Sequence, residues 1–247
     1  MDVEGQALTA EDQLFILMQA GLYLTATRGF AAPEALSCYE RAESLCVSLN
    51  QPLVLFSALR GLWRHSLASD KLSATMEIAK RVYSLARDQN DSALMIGGYR
   101  ALAVTLYYLG DFESARQYAV RGIEIWRSEG VESPVEEVTA PAVTCLFHGS
   151  HCEWHLGKIV ACQATMSKAI SLAKELNDMH GLAVVLWCAA ALGHFERSPT
   201  EVERCASDLI ELVRTLRCGW LEEKFSEVGR AALPAVQQKA SRGSRKE

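Results

Sequence analysis

Apolar residues recur three and four positions apart along almost the whole 247-residue chain, and the alternation expected of strands is missing, so the pattern predicts an all-helical fold. The stretch LYYLGDFESARQYAVRGIEI, residues 106–125, shows the local logic. Gly110 and Asp111 end one helical pattern and start another, Phe112 can wedge between the two, and Ala115, Ala119 and Gly122 leave room for close helix packing. Pro33, Pro52, Pro141 and Pro199 stand where helices should begin, since a first helical turn tolerates the missing proline N–H. The predicted helices span 11–27, 33–49, 53–68, 72–88, 92–109, 112–128, 141–156, 159–176, 179–195, 200–216 and 219–232.

Superimposing the second helices exposes a period. YERAESL, AKRVYSL, AVRGIEI and MSKAISL end on Leu45, Leu85, Ile125 and Leu172, in steps of 40, 40 and 47 residues. The longer step contains the acidic segment 128–140, where an array accepts an insertion without disturbing its packing faces. A fifth unit places Leu212 in register but has a weak hinge, RSPTEV. The expected architecture is a right-handed α-solenoid of about five helix pairs over 11–233 with a final helix, a flexible N-terminus over 1–10, and a disordered basic tail over 234–247.

The turn glycine, the apolar or aromatic residue two positions later and the small residues of LGDF…A…A…G and HLGKIVACQATMSKAISL resemble tetratricopeptide repeats, although the step of 40 exceeds that repeat's usual length. TRGFAAPEALSCYERAESLC, LFSALRGLWRHSL, ALAVTLYYLGDFESAR and APAVTCLFHGSHCEWHLG are similar to the tetratricopeptide-like C-terminal region of bacterial proteins that join a class III adenylate or guanylate cyclase domain to a P-loop ATPase module. That resemblance implies a regulatory setting in cyclic-nucleotide or ATPase signalling. It does not bring the enzymes with it, because the chain has no G-x-x-x-x-G-K-[ST] loop.

A net charge of −5 gives no global attraction to nucleic acid or anionic membrane, and no stretch of 18 uninterrupted apolar residues occurs. Eight cysteines at apolar helical positions, with no Cys-x-x-Cys pair, indicate a reducing, cytoplasmic compartment. Cys145, His148, His151, Cys152 and His155 fall on one predicted helix. Ten residues of helix rise about 15 Å, so one straight helix cannot wrap four ligands around an ion; small core thiols and rim histidines are the simpler reading, with no metal or cofactor expected. No nucleophile with a base and no G-x-S-x-G elbow emerges, which argues against an enzyme.

The register instead favours binding. First helices of successive pairs line the concave face of such arrays, and the hinges direct Arg60, Arg64, Arg100, Val104, Tyr107, Phe147, His151, Trp154, Trp187 and His194 to it. The three arginines would converge on a carboxylate or acidic peptide, and Trp154 and Trp187 would supply flat anchoring area, while Trp63 belongs in the core. The expected function is a non-catalytic module that holds a peptide or partner domain. The alternatives are a remnant of a cyclase or ATPase regulator and a scaffold that self-associates through its uncovered end helices.

Overall fold

A computed structural model describes residues 8–129 and 139–216. All regular structure among these residues is helical: α1 (Ala10–Arg28), α2 (Pro33–Ser48), α3 (Pro52–Ala68), α4 (Leu72–Gln89), α5 (Ser92–Tyr108), α6 (Phe112–Glu129), α7 (Pro141–His155), α8 (Ile159–Glu175), α9 (Met179–Phe195) and α10 (Pro199–Leu216). The observed ends lie within one or two residues of those expected from the apolar spacing. The expected eleventh helix, the basic tail and most of the acidic segment lie outside the described residues.

The chain divides into two compact units, Met1–Glu132 and Ser133–Glu247. The first contains three antiparallel helix pairs, α1–α2, α3–α4 and α5–α6; the second contains α7–α8 and α9–α10. Proline occupies the first helical turn of α2, α3 and α7, as its fixed φ favours.

The hinges explain the 40-residue period. Asn50, Asp70, Asn90 and Gly110 adopt the left-handed conformation at successive 20-residue steps in the first unit, and Gly157, Asn177 and Arg197 do so in the second. Each follows a helix end, where this conformation lets the chain turn while the last carbonyls remain bonded. The N–H of the next residue usually closes the turn, as in Gln51 to Cys46 O (2.9 Å), Asp111 to Leu106 O (3.0 Å), Lys158 to Glu153 O (2.8 Å) and Ser198 to Gly193 O (2.9 Å). Helices of 16 to 18 residues plus such a turn give a 20-residue half-repeat, so a pair occupies 40.

Arg197 is the outlier among these hinge residues. Asparagine, aspartate and glycine tolerate positive φ, whereas a long side chain pays about 1–2 kcal/mol for it. Replacing Arg197 with Gly should therefore stabilise the second unit by about 0.5–1 kcal/mol, after allowing for glycine's extra freedom in the unfolded chain. Thermal unfolding should show a rise of a few degrees at most, and a fall would mean that the arginine side chain contributes more than its backbone costs.

In the first unit, packing depends on a ring held between glycines. Tyr39 of α2 is buried, and a Cβ on Gly21 of α1 would approach its ring to 2.8 Å, while one on Gly61 of α3 would approach to 2.6 Å. The Tyr39 hydroxyl lies 3.2 Å from Thr25 Oγ1, which fixes the ring's depth. One helix pair further on, Phe56 occupies the space in front of Gly97, and the Tyr83 backbone that in front of Gly98. Ala79, Ala86, Ala115 and Ala119 complete the close approaches, all fully or almost fully buried. Trp63 is buried as expected and donates from Nε1 to Thr105 Oγ1 at 2.9 Å.

Candidate partner-binding surfaces

The three arginines of the first unit have different surroundings. Each guanidinium carbon lies over an aromatic ring: Arg60 over Phe56 at 5.6 Å, Arg64 over Phe30 at 5.7 Å and Arg100 over Trp63 at 5.5 Å. Guanidinium groups stack well on ring faces because they are planar and weakly hydrated. Arg60 also runs past Gly97, one turn before Arg100, so α3 and α5 meet along a seam containing both side chains. Only 5% of Arg60 and 1% of Arg100 remain exposed, whereas Arg64 is half-buried. Of the three arginines expected to converge, Arg60 and Arg100 are packed into the fold and Arg64 is the most exposed.

Tyr107 lies at the α5–α6 hinge, with its ring 5.3 Å from that of Tyr108 and 5.7 Å from that of Phe112. Phe112 therefore does meet the preceding helix end, as the Leu-Gly-Asp-Phe pattern suggested, and Tyr107 remains partly exposed beside it. Val104, expected on the open face, is buried core. Sequence reasoning missed a second aromatic group. Tyr83, Tyr99 and Tyr118 from α4, α5 and α6 form a triad with centroids 5.5 to 6.4 Å apart, with Arg121 over Tyr118 at 5.6 Å. Burial, followed by the charge and hydrogen bond of Tyr83, pushes the Tyr99 phenol above its usual range.

In the second unit, α7 and α9 present rings together. Trp154 packs 5.0 Å from Phe195 at 34° and 5.0 Å from His155 at 85°, and His194 lies 6.3 Å from Phe195. Trp187, His194 and Phe195 are all exposed, and Trp154 is half-buried. Seven residues separate Trp187 from His194, two turns of α9, so these rings follow one edge of the helix. Phe195 escaped the sequence reading, although the 40-residue step aligns His155 with it and marks a ring position. Phe147, expected on this face, is buried with its ring 4.2 Å from that of His148.

His151 connects the same two helices. Its Nε2 lies 3.2 Å from the carbonyl oxygen of Cys188, so Nε2 carries the proton. Burial pushes its pKa down, against the pull of that hydrogen bond and with a smaller contribution from His155 in the same direction, which keeps the ring neutral at pH 7. The bond ties α7 to α9 one residue from Trp187.

His148 Nδ1 meets Thr144 O at 3.1 Å within its own helix, and Cys145 and Cys152 are buried. Among the described residues no three His, Cys, Asp or Glu side chains are gathered to hold a metal. Burial pushes the Cys188 thiol up to about 12 and raises those of Cys46, Cys162 and Cys205, so these groups stay protonated and are not activated nucleophiles. None of the described helices is long and apolar enough to cross a membrane.

No family model matches the sequence, and no curated protein does. Solved structures share the fold at low identity. The apo form of RapI aligns with a TM-score of 0.66 and 12% identity over 96% of this chain and 87% of that one. Aspartyl phosphate phosphatase F from Bacillus subtilis aligns at 0.62 and 12% over 98% of this chain, which spans 65% of that longer one. TPR-like repeats of a kinesin light chain protein from Podosopora anserina align at 0.54 and 12%, covering 85% of this chain and 99% of that one. The chain accordingly has the tetratricopeptide-like α-solenoid fold.

Proposed function

We propose that the chain is a non-catalytic interaction module that holds a peptide or a partner protein's helix against the aromatic strip of its second unit. The observation that carries this reading is the exposed line of Trp187, His194 and Phe195 backed by Trp154. Large rings held by packing against other rings lose little freedom when a partner covers them, and such residues dominate binding energy. A side chain with an apolar body suits this surface. In the first unit, Arg64, held over Phe30 and partly exposed, supplies a site for a carboxylate of an acidic segment.

The similarity of TRGFAAPEALSCYERAESLC and APAVTCLFHGSHCEWHLG to cyclase-linked repeats favours a place in bacterial cyclic-nucleotide or ATPase signalling. Thiols buried in helices, such as Cys46, Cys162, Cys188 and Cys205, fit a cytoplasmic, reducing setting.

The test is affinity capture from source cells with the wild-type chain and with Trp187→Ala/Phe195→Ala, read by quantitative mass spectrometry. Phe195 packs on Trp154 and Trp187 is largely covered, so circular dichroism and a melting curve first establish that the variant remains folded at the temperature of capture. A partner of the strip should bind the variant at least about tenfold more weakly, the effect of losing one anchor residue. Identical captured proteins at identical yields would overturn the proposal, and an additional Arg64→Ala variant separates the two surfaces.

A further inference from the structure

The strip on α9 lies on the stacking face of the last described first helix. In the repeat register, the place of Trp187 is held by Arg60 on α3, Arg100 on α5 and Phe147 on α7, in steps of 40, 47 and 40 residues. Those three are 5%, 1% and 5% exposed, whereas Trp187 is 39% exposed. What lies over such a face is visible at two places. The α3 face meets α5, where Arg60 Cδ borders Gly97 and Trp63 reaches Thr105. The α7 face meets α9, where His151 bonds to Cys188 O and Trp154 packs on Phe195. Moved on by 40 residues, His151 and Trp154 become Ala191 and His194, which follow Trp187 by one and two turns along the same edge of α9. In a solenoid, the next first helix covers such an edge.

The sequence after α10 carries a segment that fits this edge. Hinges recur every 20 residues through Gly157, Asn177 and Arg197, which sets the next first helix at 219–232, GWLEEKFSEVGRAA. Shifted back by 40 residues, Leu221, Phe225, Val228, Gly229 and Ala232 take the places of Gly181, Val185, Cys188, Ala189 and Leu192, all buried in α9. On a helix these five share one face about 100° wide, with Glu223, Glu227 and Arg230 opposite. α9 itself has no Asp, Glu, Lys or Arg, in keeping with a helix that has neighbours on both sides. The charged back of 219–232 instead suits a capping helix with one side in solvent. We infer that residues 219–232 fold as an amphipathic helix onto the Trp187–His194 edge of α9 and hold the strip until a partner's helix displaces them. Val228 then stands to Ala191 as Cys188 stands to His151. The inference rests on the strip being the docking surface proposed above, and it states what controls access and what a partner must resemble: a helix with apolar residues at i, i+4 and i+7.

Hydrogen exchange and crosslinking on the full chain test the contact, and a peptide tests the control of access. Amides of 219–232 should exchange at least about tenfold more slowly than those of an unfolded chain. Phe225→Glu/Val228→Glu should remove that protection while circular dichroism retains the other helices. Benzoylphenylalanine at exposed His194, photolysed in a mixture of isotopically labelled and unlabelled chains, should crosslink within one chain to the stretch 225–235. A fluorescent synthetic peptide of residues 217–235 should bind the double variant at least about tenfold more tightly than the wild type, because a tethered copy competes at millimolar effective concentration. Adding Trp187→Ala to the double variant should abolish this binding. The inference falls if 219–232 exchanges freely in the wild type, if His194 crosslinks only to another copy or to nothing after residue 216, or if the peptide binds variant and wild type alike. Cellular capture is a separate readout. Protection at 219–232 with capture unaffected by Trp187→Ala/Phe195→Ala retains the helix on α9 and overturns the partner reading; a strip-dependent partner with free exchange at 219–232 does the reverse.

Discussion

Gly61→Ala should destabilise the first unit by about 2 kcal/mol, although alanine is the better helix former by about 1 kcal/mol. The added methyl would sit 2.6 Å from three atoms of the Tyr39 ring, well inside contact distance. The ring has nowhere to retreat: Gly21 bounds its other side, where a Cβ would be 2.8 Å away, and the hydroxyl is held at Thr25. Helices α1 and α3 must then spread, or Tyr39 must leave a site in which it is 4% exposed. Either outcome gives up buried contacts in a close-packed region. Denaturant unfolding should show the loss directly. Tyr39→Leu removes the ring that clashes, so adding Gly61→Ala to it should cost much less than in the wild type, a coupling that a double-mutant cycle measures. If Gly61→Ala alone is neutral or stabilising, helix propensity governs this position and the wedge does not.

That wedge also shows what the sequence could convey. Helix positions were legible because each stripe of apolar residues repeats every three or four positions, and because proline and left-handed hinge residues punctuate it. Gly110 was recognisable from Leu-Gly-Asp-Phe; its φ of 84° requires glycine-like freedom even though nothing crowds the position. Tyr39, Gly21 and Gly61 lie on three different helices, and no spacing along the chain announces that they meet. Depth was equally hidden at the candidate sites. The repeat register gave Arg60, Arg64 and Arg100 the same face, but depth depends on what lies beneath each: the Phe56 and Trp63 rings accompany Arg60 and Arg100 inward, while Arg64 over Phe30 stays nearer the surface. On α9 the register found Trp187 and His194 but passed over Phe195, because one residue along a helix is a turn of only 100° and the strip is wider than that.

Asp178→Ala should cost the second unit about 2–4 kcal/mol, since a single carboxylate serves two helix starts and both donor residues, Ala140 and Gly181, are buried. Oδ1 accepts from Gly181 N at 2.7 Å and caps α9; Oδ2 accepts from Ala140 N at 2.8 Å, at the residue before α7, a helix with no side-chain cap of its own. Negative charge beside two helix N-termini is favourable, and the alanine variant loses that attraction together with both hydrogen bonds. The bond between His180 Nδ1 and Thr139 Oγ1, 3.0 Å, remains as a weaker tie across the same junction. Asp178→Asn keeps one acceptor oxygen and should fall between alanine and wild type. Gly181→Ala offers an independent route to the same defect, because its Cβ would lie 2.1 Å from Oδ2 and drive the carboxylate away. Combined with Asp178→Ala it should add little, since the bonds it breaks are already gone. Hydrogen exchange locates the effect: amides at the starts of α7 and α9 should exchange faster in Asp178→Ala, while those around Tyr39 in the first unit keep their rates. Unchanged exchange at Ala140 and Gly181 would show that water replaces the carboxylate without loss, and that these two helix starts are held by their packing alone.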